Sequence, residues 1–217
     1  MILAVAATEF EMAPLRALLR GEIRCLITGV GPVEAAVRLT RFLAVRQPDA
    51  ITAVVNIGVA GGYIAGIGKK GPQLLDLCLA ETEAFGDLGI CFPDRIESLS
   101  EDLMGKVHFR LDQDLLARAC RICEANAIPV ETGNFVTVSG ASATQARGGM
   151  LRDRFQACCE NMEGAAVARV CAEYSLPMLE IRCISNLVED RDLKRWRLQE
   201  ACEKAAETAA VIIEPVL

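Results

Sequence analysis

The chain of 217 residues carries 23 lysines and arginines against 29 aspartates and glutamates, so its net charge at pH 7 is −6. Hydrophobic residues make up 52% and charged residues 24%, a balance that excludes an intrinsically disordered chain. The length fits one large domain with its own core, and we expect residues 1–217 to form a single domain. No run of basic residues indicates a surface for nucleic acid or for an anionic membrane, so we expect neither partner.

Ten cysteines are many for this length, but the sequence does not indicate secretion. No basic stretch precedes an apolar one at the start, and no apolar run reaches the ~18 residues of a membrane span. We therefore expect a cytoplasmic protein with reduced thiols. Cys120 and Cys123 form the only C-x-x-C pair, inside a helical pattern that favours core packing over a metal or redox site. His108, the single histidine, excludes two-histidine zinc motifs, and we expect it in a loop or facing solvent.

Apolar runs alternate with amphipathic stretches along the chain, which is the pattern of an α/β protein. The first part predicts strand, helix, strand, helix and strand, with the bounds 2–7, 9–20, 22–27, 33–46 and 51–57. The middle, from about Leu74 to Ser139, is rich in strand and turn residues and contains one helix at 114–127. The last part predicts helix, strand, helix, strand and helix, with the bounds 142–154, 157–160, 163–174, 178–185 and 193–213. These elements predict a single-domain α/β/α sandwich with a central mixed β-sheet.

Three glycine-rich turns, at 28–31, 58–62 and 139–142, each follow a predicted strand. Ligands of open α/β sheets bind at the carboxyl ends of strands, and glycine lets the main chain approach them. We therefore expect four glycines of the first two turns to line a site: Gly29, Gly31, Gly58 and Gly61. None of the turns is a dinucleotide fingerprint or a phosphate-binding P-loop.

Polar side chains stand where predicted strands end. Glu11 lies in the first turn of the first helix, Glu163 at a strand–helix junction, and Arg182 and Asn186 near the end of an apolar strand. Each also has a purely structural interpretation, because a glutamate complements a helix N-terminus and an arginine can form a buried ion pair. Asn161 could likewise cap the helix that follows it.

The motifs follow one another in the order AATEFEM, TGVG, NIGVAGG, SG, NMEGAA and RCISN. In this order they resemble the purine nucleoside phosphorylase and methylthioadenosine nucleosidase superfamily, with 162–166 and 182–186 as the most specific pieces. The resemblance implies a nucleoside phosphorylase-like fold and a hydrolase that splits the N-glycosyl bond of a purine nucleoside. It implies a small-molecule nucleoside substrate, no metal or organic cofactor, and a homodimer or higher homo-oligomer.

The resemblance also assigns roles by position. Glu11 matches the carboxylate near the attacking water, and Asn186 matches the residue that faces N7 and the six-position of the purine. Met162 and Glu163 match the pair that holds the ribose, and Arg182 matches the arginine that fixes that side of the site.

The base is further expected to meet the main chain of Ala143 and Thr144. In the family an aromatic side chain often stacks on the base near position 143. Since this chain has alanine there, Phe135 and Tyr63 are the candidates for stacking.

Two departures from the family pattern bear on the reaction. Hexameric phosphorylases of the superfamily have Arg-x-Gly-Ser where this chain has Asn-Ile-Gly-Val at 56–59, which offers phosphate neither a charge nor a hydroxyl. Water is therefore favoured as the nucleophile, although Arg16, Arg20 and Arg24 keep a phosphorylase open. Asn186 stands where adenine-releasing nucleosidases have aspartate, and its amide can donate to a 6-oxo group, which favours hypoxanthine.

Segments 83–89 and 186–192, together with Trp196, resemble the futalosine hydrolase family. That resemblance implies hydrolysis of futalosine to hypoxanthine and dehypoxanthine futalosine, in the alternative route to menaquinone. Arg191 is the expected partner of the anionic substrate tail. Another purine nucleosidase, a phosphate-dependent phosphorylase and a nucleoside-binding protein without turnover remain alternatives.

Overall fold

The structure is a computed structural model that describes residues 1–19, 23–45, 51–65, 71–189 and 192–214. Within these ranges it has ten strands and seven α-helices. The strands are β1 Ile2–Ala6, β2 Arg24–Ile27, β3 Ala53–Tyr63, β4 Leu77–Phe85, β5 Ile90–Cys91, β6 Ile96–Glu97, β7 His108–Arg110, β8 Glu131–Thr137, β9 Ala157–Asn161 and β10 Met178–Val188. The helices are α1 Glu9–Leu18, α2 Pro32–Val45, α3 Glu101–Met104, α4 Gln113–Ala125, α5 Gln145–Phe155, α6 Gly164–Glu173 and α7 Leu198–Ile213.

Eight strands form one mixed sheet, in the order β10-β4-β8-β9-β3-β1-β2, with β7 on β4. The last strand along the chain, β10, pairs in parallel with β3 on one edge and antiparallel with β4 on the other. Since β9 bridges β3 and β8, five strands close into a ring. The central mixed sheet predicted from the sequence is confirmed.

Helices cover the sheet in two layers. Helices α1, α4 and α7 pack together against one side of β1, β3 and β10. Helices α2 and α6 pack against each other and against the opposite side. Strand β1 is buried along its whole length, as expected for a strand covered on both faces. These layers confirm the α/β/α architecture.

The two longest strands differ from the prediction. The glycine-rich stretch at 58–62 is not a turn, because β3 runs through it and pairs with β10 and β9. Strand β10 likewise continues past position 185 to Val188, with an irregularity in register between Ile184 and Asn186. Both extensions are set by pairing between distant strands, which a local turn signal does not report.

The predicted single helix at 193–213 is also wrong. A short 3-10 helix, Leu193–Arg195, comes first, and α7 begins only at Leu198. The break arises because the Arg197 N–H donates to the Ser185 carbonyl of β10, 2.8 Å away, which draws the chain over the end of the sheet. The middle contains a second, four-residue helix, α3, that the sequence did not predict.

Several predicted bounds lie outside the described residues: the helix ends at Arg20 and Arg46 and the strand start at Glu22. All ten cysteines are free thiols, and Cys123 is fully buried in the core. His108 is exposed at the start of β7, as predicted. In the ranges that the structure covers, none of the helices is both long and apolar enough to traverse a bilayer.

Candidate active site

A cavity of about 480 Å³ opens where β3, β9 and β10 end. Its wall contains six of the residues singled out from the sequence for catalysis, ribose or base: Glu11, Ala143, Met162, Glu163, Arg182 and Asn186. Of the four glycines expected to line the site, Gly61 does so and Gly58 does not, and the turn before α2 contributes Val30 and not its two glycines. The sheet therefore brings together side chains that are far apart in the sequence.

Glu11 is held on the cavity wall by the start of helix α1. Thr8 caps this helix, and the Glu11 Oε2 accepts the Thr8 N–H at 3.0 Å and the Thr8 hydroxyl at 2.8 Å. The other oxygen, Oε1, accepts the Val59 N–H at 3.3 Å. This reciprocal capping box satisfies the helix end and fixes the carboxylate at once, so the structural and functional interpretations of Glu11 are compatible.

Glu163 stands at the N-terminus of α6 and is 4% exposed. Its Oε1 accepts the N–H of Gly31 at 2.9 Å. Gly31 has a φ of +91°, a conformation open to glycine, and this turns its N–H toward the carboxylate. Burial raises the pKa of Glu163, and the Arg182 charge and the Gly31 N–H oppose that shift.

Arg182 is fully buried behind Glu163. Its Nε donates to Glu180 Oε1 at 2.9 Å, its Nη1 donates to the Val59 carbonyl at 3.2 Å, and Glu163 Oε2 lies 3.7 Å from Nη1. Burial disfavours the charged guanidinium, but Glu180, Glu163 and Glu11 outweigh it and raise the pKa of Arg182. Arg182 is therefore a permanent cation among carboxylates.

Gly58 lets these charged groups meet. A Cβ on Gly58 would lie 2.5 Å from Arg182 Nη1 and 2.6 Å from Glu11 Oε1. The strand position between the two side chains is therefore open only to a residue without a Cβ.

The opposite end of the cavity carries Asn186 and Glu160. The Oδ1 of Asn186 accepts the Ser185 hydroxyl at 3.0 Å, which leaves its amide N–H groups with one long contact, 3.4 Å to the Leu187 carbonyl. Glu160 accepts from the Ser142 N–H and hydroxyl, both at 2.6 Å, and from the Tyr63 hydroxyl at 3.1 Å. Burial raises the pKa of Glu160. Glu160 thus ties the Ser142 loop to the sheet.

The third glycine-rich turn, at 139–142, is anchored at Ser142 by Glu160 and at Ser139 by Asp87. Asp87 accepts the Ser139 N–H at 2.9 Å and forms an ion pair with Arg147 at 3.2 Å. Ala143 lies just beyond this turn on the cavity wall. Through Asp87, the 83–89 segment therefore fixes the turn that leads into this part of the wall.

Some predicted residues lie elsewhere. Thr144 caps α5 through its hydroxyl and is not on the cavity wall. Phe135 is in the core and Tyr63 faces Glu160, so neither stacking candidate reaches the cavity. Arg16 pairs with Glu9 on the surface of α1, and neither it nor Arg24 lines the cavity. Arg20 and Arg191 lie outside the described residues.

Sequence reasoning did not single out Glu160, or Glu83 and Glu180 beneath the cavity. The last two are fully buried. A carboxylate inside an otherwise apolar strand, as in LCLAETEAF and MLEIRCIS, was the available signal.

Comparison with known proteins gives four similarities. A model of the phosphorylase superfamily matches residues 8–217. A futalosine hydrolase of Streptomyces coelicolor is 34% identical over 198 residues, which cover 88% of this chain and 78% of that protein. A 5'-methylthioadenosine/S-adenosylhomocysteine nucleosidase of Chromohalobacter salexigens is 29% identical over 208 residues, covering 90% and 79%. The native structure of a Helicobacter pylori futalosine hydrolase superposes with a TM-score of 0.84 at 18% identity, covering 99% of this chain and 97% of that one.

Proposed function

The chain belongs to the phosphorylase superfamily, and from that premise we propose that it is a purine nucleosidase that hydrolyses futalosine. The products are hypoxanthine and dehypoxanthine futalosine. The observation that carries the proposal is that Asn186 faces the same cavity as Glu11, Glu163 and Arg182. This arrangement supplies a water-activating carboxylate, a ribose-binding pair and an amide for the base on one wall.

The charges of the cavity favour water over phosphate as the nucleophile. Among the described residues of its wall, Arg182 is the sole lysine or arginine, against Glu11, Glu160 and Glu163. Arg182 is already hydrogen-bonded to Glu180 and lies next to Glu163. A phosphate dianion would therefore enter a site that is negative on balance and would find no unpaired cation there.

The reaction passes through a ribosyl cation-like transition state, as other glycosidic cleavages do. Glu163 accepts from the ribose hydroxyls and adds negative charge near the developing cation. Glu11 orients the water and takes its proton as general base. The electron pair of the broken bond goes to the base, which takes a proton at N7 from solvent water. Asn186 donates from its amide to O6 and accepts from that N7–H as the hypoxanthine leaves.

The mouth of the cavity suits the aromatic part of the futalosine tail. Phe10, Val30, Trp196 and Leu198 line it, and large apolar side chains of this kind bind rings by contact area and stacking. Arg191 as the partner of the tail carboxylate stays a prediction.

Three further parts of the proposal concern the setting. The product enters the alternative route to menaquinone, and the enzyme works in the cytoplasm. It forms a homodimer or higher homo-oligomer, which is supported by Val33 and Val37, exposed side by side on α2 at 74% and 57%.

The test is purine release from futalosine, inosine, adenosine and methylthioadenosine, each with and without phosphate, followed by chromatography. We expect hypoxanthine from futalosine without phosphate, at a rate well above that from inosine. Adenine from methylthioadenosine would contradict the role of Asn186. Release that needs phosphate would make the protein a phosphorylase, and binding without release would make it a nucleoside-binding protein.

A further inference from the structure

Two buried carboxyl groups meet directly beneath the ribose end of the cavity. Glu83 on β4 and Glu180 on β10 are both 0% exposed. Both reach Gly164, the first residue of α6. A Cβ on Gly164 would lie 2.5 and 2.6 Å from the two oxygens of Glu180 and would overlap Oε1 of Glu83. The two side chains therefore share one small volume.

The hydrogen bonds around Glu180 show that it is the ionised partner. Its Oε1 accepts from Arg182 Nε at 2.9 Å and from Asn56 Nδ2 at 3.1 Å. Its Oε2 is buried and has no hydrogen-bond partner among the described residues other than a proton that Glu83 could carry. A proton on one of the two carboxyl groups would let that group donate to the other and would remove the repulsion between them. Since Arg182 neutralises Glu180, the proton belongs on Glu83.

Glu83 is connected to the other half of the ribose site. It accepts from Asn161 Nδ2 and, at 3.0 Å, from the Thr137 hydroxyl. The Oδ1 of Asn161 in turn accepts the N–H of Glu163 at 2.9 Å and that of Gly164 at 2.7 Å. Glu83 thus lies next to Glu180, which binds Arg182, and is hydrogen-bonded to Asn161, which binds the main chain of Glu163.

We propose that Glu83 is a neutral carboxylic acid that donates its proton to Glu180 and acts as a positioning residue for the ribose-binding pair Glu163 and Arg182. It touches no substrate. Its proton removes the repulsion between two adjacent carboxylates. The proton also keeps Glu180 directed at Arg182 and Asn161 directed at the start of α6.

The electrostatic surroundings agree with this assignment. Burial and the neighbouring Glu180 charge raise the pKa of Glu83 well above its ordinary value, and Asn161, Arg182 and Thr137 only partly oppose them. The other titratable groups that act on the pair are Arg182 of β10, Glu163 at the start of α6, Cys171 of α6, Cys159 of β9 and Tyr63 of β3. Of these, Arg182 is the one cation.

The first test compares the urea unfolding of the wild-type protein and of Glu83→Gln between pH 5.5 and 7.5. In the unfolded chain Glu83 has an ordinary pKa and is ionised, so unfolding of the wild type releases one proton. We expect its unfolding constant, relative to that of Glu83→Gln, to rise about tenfold per pH unit. A ratio independent of pH would overturn the proposal. Glu81→Gln, on the same strand, is the matched control and should leave the pH dependence of the wild type unchanged.

The second test measures purine release and so rests on the proposed function. Glu83→Gln keeps the charge of the cluster, and we expect kcat/KM at pH 7 within about threefold of the wild type. Glu180→Gln leaves Arg182 without its hydrogen-bonded carboxylate, and a loss of about 30-fold or more is expected. Equal losses in the two variants would mean that the charge of Glu83 is used and would overturn the proposal.

Infrared spectroscopy gives a readout that needs neither a substrate nor a variant. With ¹³C-labelled glutamate, the wild-type protein at pH 8 should show the carbonyl band of a protonated carboxyl group. Its absence would refute a neutral Glu83 even if both variants failed to fold. The unfolding and infrared results are independent of purine release, so failure of the proposed function remains distinguishable from failure of this inference.

Discussion

Replacing Gly58 by alanine is the sharpest steric test of the proposed site. The new methyl group would stand 2.5 Å from Arg182 Nη1 and 2.6 Å from Glu11 Oε1. An ordinary contact needs ~3.5 Å, so each of the two charged groups must move away from the methyl group by ~1 Å. A misplacement of this size costs about 100-fold in rate, because Glu11 and the ribose pair would no longer share one geometry.

The assay is kcat/KM for purine release, measured together with the thermal midpoint of unfolding. Gly149→Ala is the matched control, since a Cβ there meets nothing within 4 Å. We expect the control to behave as the wild type and Gly58→Ala to fold but to lose about 100-fold in kcat/KM. Activity of Gly58→Ala within threefold of the control would show that Glu11 and Arg182 do not act through the space that Gly58 leaves open.

Three further predictions concern single groups. Glu11→Gln should lower kcat about 10²-fold or more, the usual contribution of a general base; the thermal midpoint should stay near that of the wild type, and an unchanged kcat would remove the base assignment. Asn186→Asp should shift the ratio of adenine to hypoxanthine released from matched nucleosides toward adenine, as measured by chromatography; an unchanged ratio would mean that Asn186 does not read the six-position. Because burial raises the pKa of Glu163 and its carboxylate must be ionised to hold the ribose, kcat/KM should fall on acidification at a pH above the ordinary glutamate pKa of ~4.3, and a pH profile that is flat down to that value would contradict the role.

Much of the fold follows from local patterns. The order of strands and helices, the mixed sheet and the helical layers were predicted from apolar runs and amphipathic stretches. The bounds that failed are those that depend on distant pairing. Gly58 and Gly61 read as a turn until β9 and β10 are placed beside them, and the break before Leu198 depends on a hydrogen bond to Ser185.

The site divides in the same way. Glu11, Met162 and Glu163 stand at ends of elements, where ligand-binding groups are expected. Arg182 and Asn186 lie within β10, and all five line one cavity. The family was also predicted correctly from its ordered motifs.

The carboxyl groups that support this wall were missed. Glu83, Glu160 and Glu180 lie within strands, where a polar residue is ordinarily taken to face solvent. Their burial and pairing arise only when β4, β9 and β10 are assembled, and a carboxylate inside an otherwise apolar strand was the one local signal for Glu83 and Glu180.

The insertion of β10 between β3 and β4 has a consequence for the order in which the protein matures. The contact between Gly31 and Glu163 spans 132 residues, and that between Val59 and Arg182 spans 123. Synthesis must therefore proceed beyond β10 before the cavity can close, and until then β3 and β4 each expose an unpaired edge. Residues 178–188 complete both the sheet and the cavity wall. A nascent or truncated chain that ends before them therefore has no means of recognising a nucleoside.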